Sequence, residues 1–319
     1  MDPVPSVGWR AWRDRLLLQE DLNFLLTNRV PRIALTRALG WLSAIRNPLV
    51  REVSLAVWKM AGDLDLSDAR KSRFDSLHDC FIRELRPGAR PLDPDQQALL
   101  SPSDGILGAH GVIAAGQMLQ AKGMAYTLGD LLGSEEAARE AEGCAYATLR
   151  LTSGMYHRFH SPHDGTLLEL HHLDGDTWNV NPIALKRVER LFCRNERAAI
   201  RLQLAPGDAV MTLVPVAAVG VSGLRVHGVD VTMRAGEQGP QRHAMNRAVR
   251  RGDELGWFQH GSTIIVLAPP GYRLCEGLMA GHRLRMGQRL MRRDAPRADA
   301  ASHAAPGSEF PGAPGPAPG

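Results

Sequence analysis

Three short stretches of this 319-residue chain carry residue types that could do chemistry together. The first is FQHGSTIIVLAPPG, Phe258 to Gly271, where a Gly-Ser pair stands immediately before an apolar run of strand type. The chain has three Gly-Ser dipeptides. Gly133-Ser134 opens an acidic helical segment, where serine is an ordinary N-cap, and Gly307-Ser308 falls in a tail rich in Ala, Pro and Gly. Only Gly261-Ser262 sits at the mouth of a buried strand. A serine there is ordinarily a turn residue, and it becomes a nucleophile only if a base reaches it.

The second stretch is SGMYHRFHSPHDG, Ser153 to Gly165, with His157 and His160 three apart and Tyr156 and Arg158 alongside. In a strand the two imidazoles would point to opposite faces, whereas at a bend they could converge. His163, His171 and His172 are further nitrogens, but no H-E-x-x-H arrangement accompanies them, so no metal site is expected. The third stretch, SPSDGIL, supplies Asp104 on a turn before a strand; a turn aspartate normally bonds its own backbone. Serine, imidazole and carboxylate permit a triad in which the acid orients the ring and the ring deprotonates the hydroxyl. Geometry, not order along the chain, decides whether they meet.

These residues need a frame, and the pattern predicts an α+β one: N-terminal amphipathic helices followed by a β-rich domain. Val30, Ile33, Ala34, Ala38, Trp41, Leu42 and Ile45 recur at helical steps, and Pro48 opens a second helix carrying Leu49, Val53, Val57 and Trp58. From Leu22 to Met60 the cations Arg29, Arg32, Arg37, Arg46, Arg51 and Lys59 face the single acid Glu52. A basic amphipathic pair with tryptophans suits an interfacial anchor, and equally suits surface helices packed on their own domain. A third helix is expected over Phe74 to Leu85. From Leu100 to about Leu290 short apolar runs are cut by turn residues, with a helical interruption at Thr127 to Glu142. The pattern thus divides the chain into a helical segment over residues 1–70, a β-rich domain over 71–293 and a disordered tail over 294–319. The pattern S-P-x-D-G-x-L occurs at Ser101 and again at Ser161, which reads as a duplicated β-unit or as one turn used twice.

Composition narrows the function classes. Apolar residues make up 44%, so the chain is globular, and 32 glycines with 21 prolines favour a turn-rich β body. Cys80, Cys144, Cys193 and Cys275 form no C-x-x-C pair, which reads as reduced, cytosolic-facing thiols. No run of 18 apolar residues marks a membrane span, and the N-terminus lacks the apolar stretch of a signal peptide. The net charge of +4 is compatible with nucleic acid or with anionic lipid, and its location along the chain must decide.

Read together, the stretches resemble the bacterial phosphatidylserine decarboxylase family. The pieces are FDSLHDCFIRELRPGARPLD (Phe74 to Asp93), SPSDG (Ser101 to Gly105), KGMAYTLGDLLG (Lys122 to Gly133) and MYHRFHSP (Met155 to Pro162). VNPIAL (Val180 to Leu185), LFCRNER (Leu191 to Arg197) and FQHGSTIIVL (Phe258 to Leu267) complete the order. The family signature usually reads Leu-Gly-Ser-Thr; here His260 replaces the leucine, which puts a second imidazole beside the bond and is expected to alter the rate or pH dependence of processing.

The resemblance implies a self-cleaving proenzyme. Its triad falls on Asp104, His160 and Ser262, with Asp164 of the second S-P-x-D-G copy as a rival acid, and His157 resembles the residue assigned to decarboxylation. Cleavage between Gly261 and Ser262 would give subunits 1–261 and 262–319, with Ser262 becoming a pyruvoyl cofactor. That ketone would form a Schiff base with the amine of phosphatidylserine and act as electron sink while carbon dioxide departs. Phosphatidylserine in anionic membranes and the cleaved subunits are the implied partners, a homodimer is compatible, and nucleic acid is not expected. The implied place is the cytoplasmic face of the cell membrane, peripherally attached. Arg158, Lys122 and Arg197 are candidates for gripping the phosphate. An uncleaved Ser-His-Asp hydrolase and a non-enzymatic lipid-surface module are the rival readings; the first lacks a proper G-x-S-x-G elbow, since Gly220-Val-Ser222-Gly-Leu misplaces the second glycine.

Overall fold

A computed structural model describes residues 31–61, 64–121, 124–218, 223–229, 239–259 and 262–294, with the backbone alone at Arg32, Ile33, Ala61, Ala121 and Ser262. The expectations for residues 1–30, Lys122, Val219 to Ser222, His260, Gly261 and the 295–319 tail lie outside them.

Helices α1 (Arg32–Ala44) and α2 (Pro48–Ala61) form the expected pair. Asn47 caps α2, its side-chain oxygen accepting from the N–H groups of Leu49 and Val50, and Pro48 occupies the first turn, where a missing N–H is harmless. One side of α2 buries Leu55 and Trp58 against Ala69, Phe74 and Cys80. The other side presents Leu49, Val53, Val57 and Met60, at steps of four, four and three, each more than half exposed.

Helix α3 (Leu77–Phe81) is shorter than the span expected from Phe74 to Leu85. Ser76 caps it by accepting from the Asp79 N–H, but beyond Ile82 the backbone pairs elsewhere: Ala69 bridges Leu85, and Arg70 N–H donates to the Glu84 carbonyl. Tertiary pairing there overrides local helical preference.

Strands β1 (Ala98–Leu100), β2 (Gly105–Val112), β3 (Gln117–Ala121) and β4 (Met124–Thr127) lead to helices α4 (Leu128–Leu132) and α5 (Glu135–Glu140). The acidic interruption is therefore two helices. Gly133 takes a left-handed φ of 63° that ends the first, and Ser134 caps the second. Then come β5 (Ala145–Leu151), β6 (Arg158–His160), β7 (Gly165–Leu173), α6 (Pro182–Arg187), α7 (Leu191–Arg194), β8 (Arg197–Leu204) and β9 (Val210–Ala217). Strands β10 (Leu224–Val226), β11 (Gln241–Val249), β12 (Glu254–Phe258), β13 (Ser262–Ala268), β14 (Tyr272–Leu274), β15 (Arg283–Leu284) and β16 (Arg289–Arg293) complete the described chain.

The body is an antiparallel sheet in the order β11-β7-β8-β9-β13-β5-β2-β15, with smaller sheets β10-β12-β6 and β1-β16-β14. Strand β13 lies near its middle. Ile264 and Val266 enter the core on one face, and Ile265 and Leu267 enter the core on the other. Burial on both faces is why STIIVLA reads as an unbroken apolar run rather than an alternating one.

The S-P-x-D-G turns are used in the same way twice. Ser101 Oγ donates to the Ser103 carbonyl and Ser161 Oγ to the His163 carbonyl. They also exchange bonds: Leu100 N–H donates to Pro162 O at 3.1 Å, and His160 N–H donates to Pro102 O at 2.8 Å. Each turn is backed by a glycine at φ 88°, Gly287 or Gly252, whose N–H donates to Ser101 or Ser161. A Cβ on Gly252 would strike Leu92 and one on Gly287 the Pro91 carbonyl, and the left-handed backbone itself favours glycine.

Candidate active site

Two backbone anchors bring the serine segment to the histidine segment. Ser262 opens β13 opposite Leu151 of β5 on one side and Ala217 of β9 on the other. Four residues earlier, Phe258 N–H donates to the His157 carbonyl at 3.0 Å. Phe258 and Ser262 are therefore both held close to the loop joining β5 to β6. That loop carries Tyr156 and His157, with His160 ending β6.

His157 precedes β6 and is fully buried. Its Nδ1 lies 2.8 Å from the Met155 carbonyl, which only accepts, so Nδ1 carries the hydrogen. The ring lies on Phe81, with centroids 3.9 Å apart, and Phe81 stacks in turn on Trp58 of α2 at 5.7 Å.

His160 has both nitrogens engaged. Nδ1 donates to the Gly252 carbonyl at 2.9 Å, which leaves the lone pair on Nε2, and the Tyr156 hydroxyl donates to it at 2.8 Å. Burial pushes the His160 pKa below the ordinary imidazole value, and the Gly252 carbonyl and the charge of Glu254 offset only part of that. The ring is held neutral, as a base requires. Burial likewise pushes the Tyr156 phenol up, so it stays protonated as the donor.

Asp104 does not bond to His160. Arg90 grips its carboxylate at both oxygens, Nε to Oδ1 at 2.9 Å and an NH2 to Oδ2 at 2.7 Å, and Met286 N–H donates to Oδ1. Arg90 also reaches Asp68 at 2.8 Å. The structure thus brings the Asp104 turn against His160 through the Pro102 carbonyl, while the carboxylate itself faces a guanidinium. Asp164 accepts from Arg251 N–H as Asp104 does from Met286, but it is exposed and lies outside this ionic cluster.

Of the cations picked out for a phosphate, Arg197 gives its guanidinium to four carbonyls, those of Leu131, Cys193, Asn195 and Asp130. Arg158 is held by Glu254 and the Ile82 carbonyl. Neither side chain is available. His163, His171 and His172 go to separate places: two carbonyls at the surface, the Leu132 carbonyl, and buried Glu196. Among the described residues no group of three or more His, Cys, Asp or Glu side chains could hold a metal ion.

Sequence reasoning missed Arg90, Gly252 and the role of Tyr156. Only Tyr156 left a local signal, an aromatic hydroxyl four residues before the histidine it meets. The bonds from Arg90 to Asp104 and from His160 to Gly252 span 14 and 92 positions, beyond any local pattern.

A family model described as phosphatidylserine decarboxylase matches residues 77–292. Curated relatives called phosphatidylserine decarboxylase proenzyme include one from Halorhodospira halophila, 40% identical over 73% of this chain and 81% of the relative. Another, from Xanthomonas campestris pv. campestris, is 36% identical over 86% of this chain and 98% of its own. A third, from Myxococcus xanthus, is 34% identical over 76% and 87%.

Proposed function

The chain belongs to the phosphatidylserine decarboxylase family, and on that premise we propose that it is a proenzyme that cuts itself between Gly261 and Ser262 and then converts phosphatidylserine to phosphatidylethanolamine and carbon dioxide. The observation that carries this reading is a central strand that opens at Ser262 opposite Leu151, while Phe258, four residues earlier, donates its N–H to the His157 carbonyl.

Ser262 Oγ adds to the Gly261 carbonyl while His160 takes the hydroxyl proton, and the peptide becomes an ester. Loss of the Ser262 α-proton then expels the Gly261 carboxylate, leaving a dehydroalanine that takes up water and releases ammonia. The surroundings suit a new chain end at this position. Thr263 to Leu267 stay laddered to both neighbours, so the terminus remains in place after the cut. The resulting pyruvoyl group supplies a ketone that captures the substrate amine and accepts the electrons released with carbon dioxide. His157, whose Nδ1 bonds to Met155 and whose ring lies on Phe81, returns the proton through Nε2 in this reading. Asp104, clamped by Arg90, acts as a positioning residue that seats the Ser101–Gly105 turn against β6. We read the paired S-P-x-D-G turns as a duplicated β-unit. Intact mass of the purified protein tests the main claim: two chains, the shorter beginning with a carbonyl in place of an amine.

Tyr156→Phe separates the His160 tautomer from mere packing. The phenol donates to the neutral ring and therefore favours it; without that bond the ring holds a proton to higher pH. The acidic limb of the self-cleavage profile should move upward by roughly half to one pH unit, since a hydrogen bond contributes about 1 kcal/mol. A limb that stays in place means Tyr156 does not donate to Nε2.

We further propose that α2 docks the enzyme on an anionic leaflet, as a peripheral protein of the inner membrane face. No helix among the described residues is long and apolar enough to cross a membrane. The exposed stripe of α2 and Trp41, 72% exposed on α1, lie with exposed Arg46 and Lys59, whereas Arg51 is buried and tied to Glu52. Replacing Leu49, Val53 and Val57 by serine removes roughly 3 kcal/mol of partition energy, about a hundredfold in vesicle binding. Flotation with phosphatidylglycerol vesicles measures it, and unchanged binding would refute the docking face.

A further inference from the structure

One row of side chains crosses the main sheet beside the proposed cleavage site. Arg150 of β5 stands directly opposite Thr263 of β13 on one side and Ile106 of β2 on the other, and Ile106 stands opposite Arg283 of β15. Directly opposed residues of antiparallel strands point to the same face, so these four share one side of the sheet. Thr263 is the residue after Ser262.

Arg150 is partly buried, and no acceptor reaches its guanidinium among the described residues. Its circumstances differ sharply from those of Arg197, which has four carbonyls. Burial lowers the Arg150 pKa, and the charge acting on it is that of another cation, Arg283. Beside it the Thr263 hydroxyl, 1% exposed, has no hydrogen-bond partner among the described residues. A desolvated guanidinium and an orphaned buried hydroxyl are both costly, and both are satisfied by an anion with several acceptor oxygens.

Resting on the reading of position 262 as the reactive ketone, we propose that Arg150 and Thr263 form the subsite for the phosphate of the substrate head group. Successive side chains of β13 point to opposite faces, so the head group would reach Thr263 over the strand end that the cut frees, a path a phosphoserine ester can follow because its phosphorus lies a few bonds from the amine-bearing carbon. The substrate carboxylate is the other anion available. A guanidinium clamped on it would stabilise the ground state and oppose loss of carbon dioxide, so the phosphate is the fitting occupant.

The test uses cleaved wild-type protein and an Arg150→Met variant, which leaves the groups proposed for self-cleavage untouched. Each is incubated with glycerophosphoserine, or with O-acetylserine, which has the amine and carboxylate but no phosphate. Cyanoborohydride traps the adduct on the short chain, read by intact mass. The glycerophosphoserine concentration giving half-maximal adduct should rise about tenfold to a hundredfold in the variant, with O-acetylserine unchanged. Inorganic phosphate should compete weakly against glycerophosphoserine in wild type and not at all in the variant. Equal losses on both compounds would mean that Arg150 holds the carboxylate or the fold, and would overturn the assignment. So would inorganic phosphate binding as tightly as glycerophosphoserine, which marks a free-phosphate site. Wild type that yields no adduct with either compound sinks the ketone reading and this subsite with it, a result unlike the other two. If Arg150→Met fails to cleave, Arg150→Lys and the phosphate competition on wild type carry the same test: no competition overturns it.

Discussion

A Ser262→Ala chain should remain a single polypeptide of 34.8 kDa and produce no phosphatidylethanolamine. The loss is total because one atom has two jobs. Without Oγ there is no nucleophile for the Gly261 carbonyl, and without an ester there is no elimination to make a ketone. The substitution should be mild for the fold. Position 262 is fixed by backbone ladders to Leu151 and Ala217, and alanine keeps every one of those N–H and C=O groups. Thermal unfolding of the variant should therefore stay near that of a wild-type precursor, while denaturing gels show one band where wild type shows two. A cut Ser262→Ala chain, or an uncut wild type that still decarboxylates, would end this account. An uncut wild type that hydrolyses esters would favour the Ser-His-Asp hydrolase instead.

The second large effect is a split between two histidines only three positions apart. On the proposed mechanism His160→Ala should slow self-cleavage by about 10²- to 10⁴-fold, because the neutral Nε2, once the Tyr156 hydroxyl gives way, would be the proton acceptor. His157→Gln should cut itself at close to the wild-type rate, then release carbon dioxide about 10²- to 10⁴-fold more slowly. Their settings explain the division. His160 ends β6, its ring locked between the Gly252 carbonyl and the Tyr156 hydroxyl. His157 lies before the strand, on Phe81, its Nδ1 committed to the Met155 carbonyl. Glutamine is chosen to keep bulk against Phe81, and melting temperature should be recorded alongside. If both variants lose cleavage in parallel, the division of labour is wrong and the pair acts as one unit.

Much of the frame was readable from local pattern. The helix pair, with Pro48 opening its second member, and a strand starting at Ser262 all follow from periodicity and turn chemistry. The Gly-Ser bond is proposed as the reactive point from the neighbouring stretches read as a set. Where local pattern failed, long-range contact had intervened. The helix expected to reach Leu85 stops at Phe81 because its downstream backbone pairs with Ala69 and Arg70. The acidic helix breaks at Gly133, a residue that tolerates the left-handed turn and invites a new cap at Ser134.

The candidate acid shows the same limit. Sequence supplied Asp104 and a copy, Asp164, as alternatives with the same turn chemistry. Burial separates them, since Asp104 is 8% exposed and clamped by Arg90, whereas Asp164 lies at the surface. No local feature of either turn encodes that difference.

What the sequence determined alone is the chemistry on offer: a serine after a glycine at a strand mouth, two imidazoles in one short stretch, and helices with a basic, apolar face. Those are properties of neighbours along the chain, where steric and hydrophobic periodicity act directly. Which nitrogen of His160 carries the hydrogen, which carboxylate sits in the buried cluster, and which arginine meets no acceptor among the described residues were decided by the tertiary structure. Each depends on groups brought together by sheet registry from distant positions, and a hydrogen bond or ion pair exists only where both partners arrive.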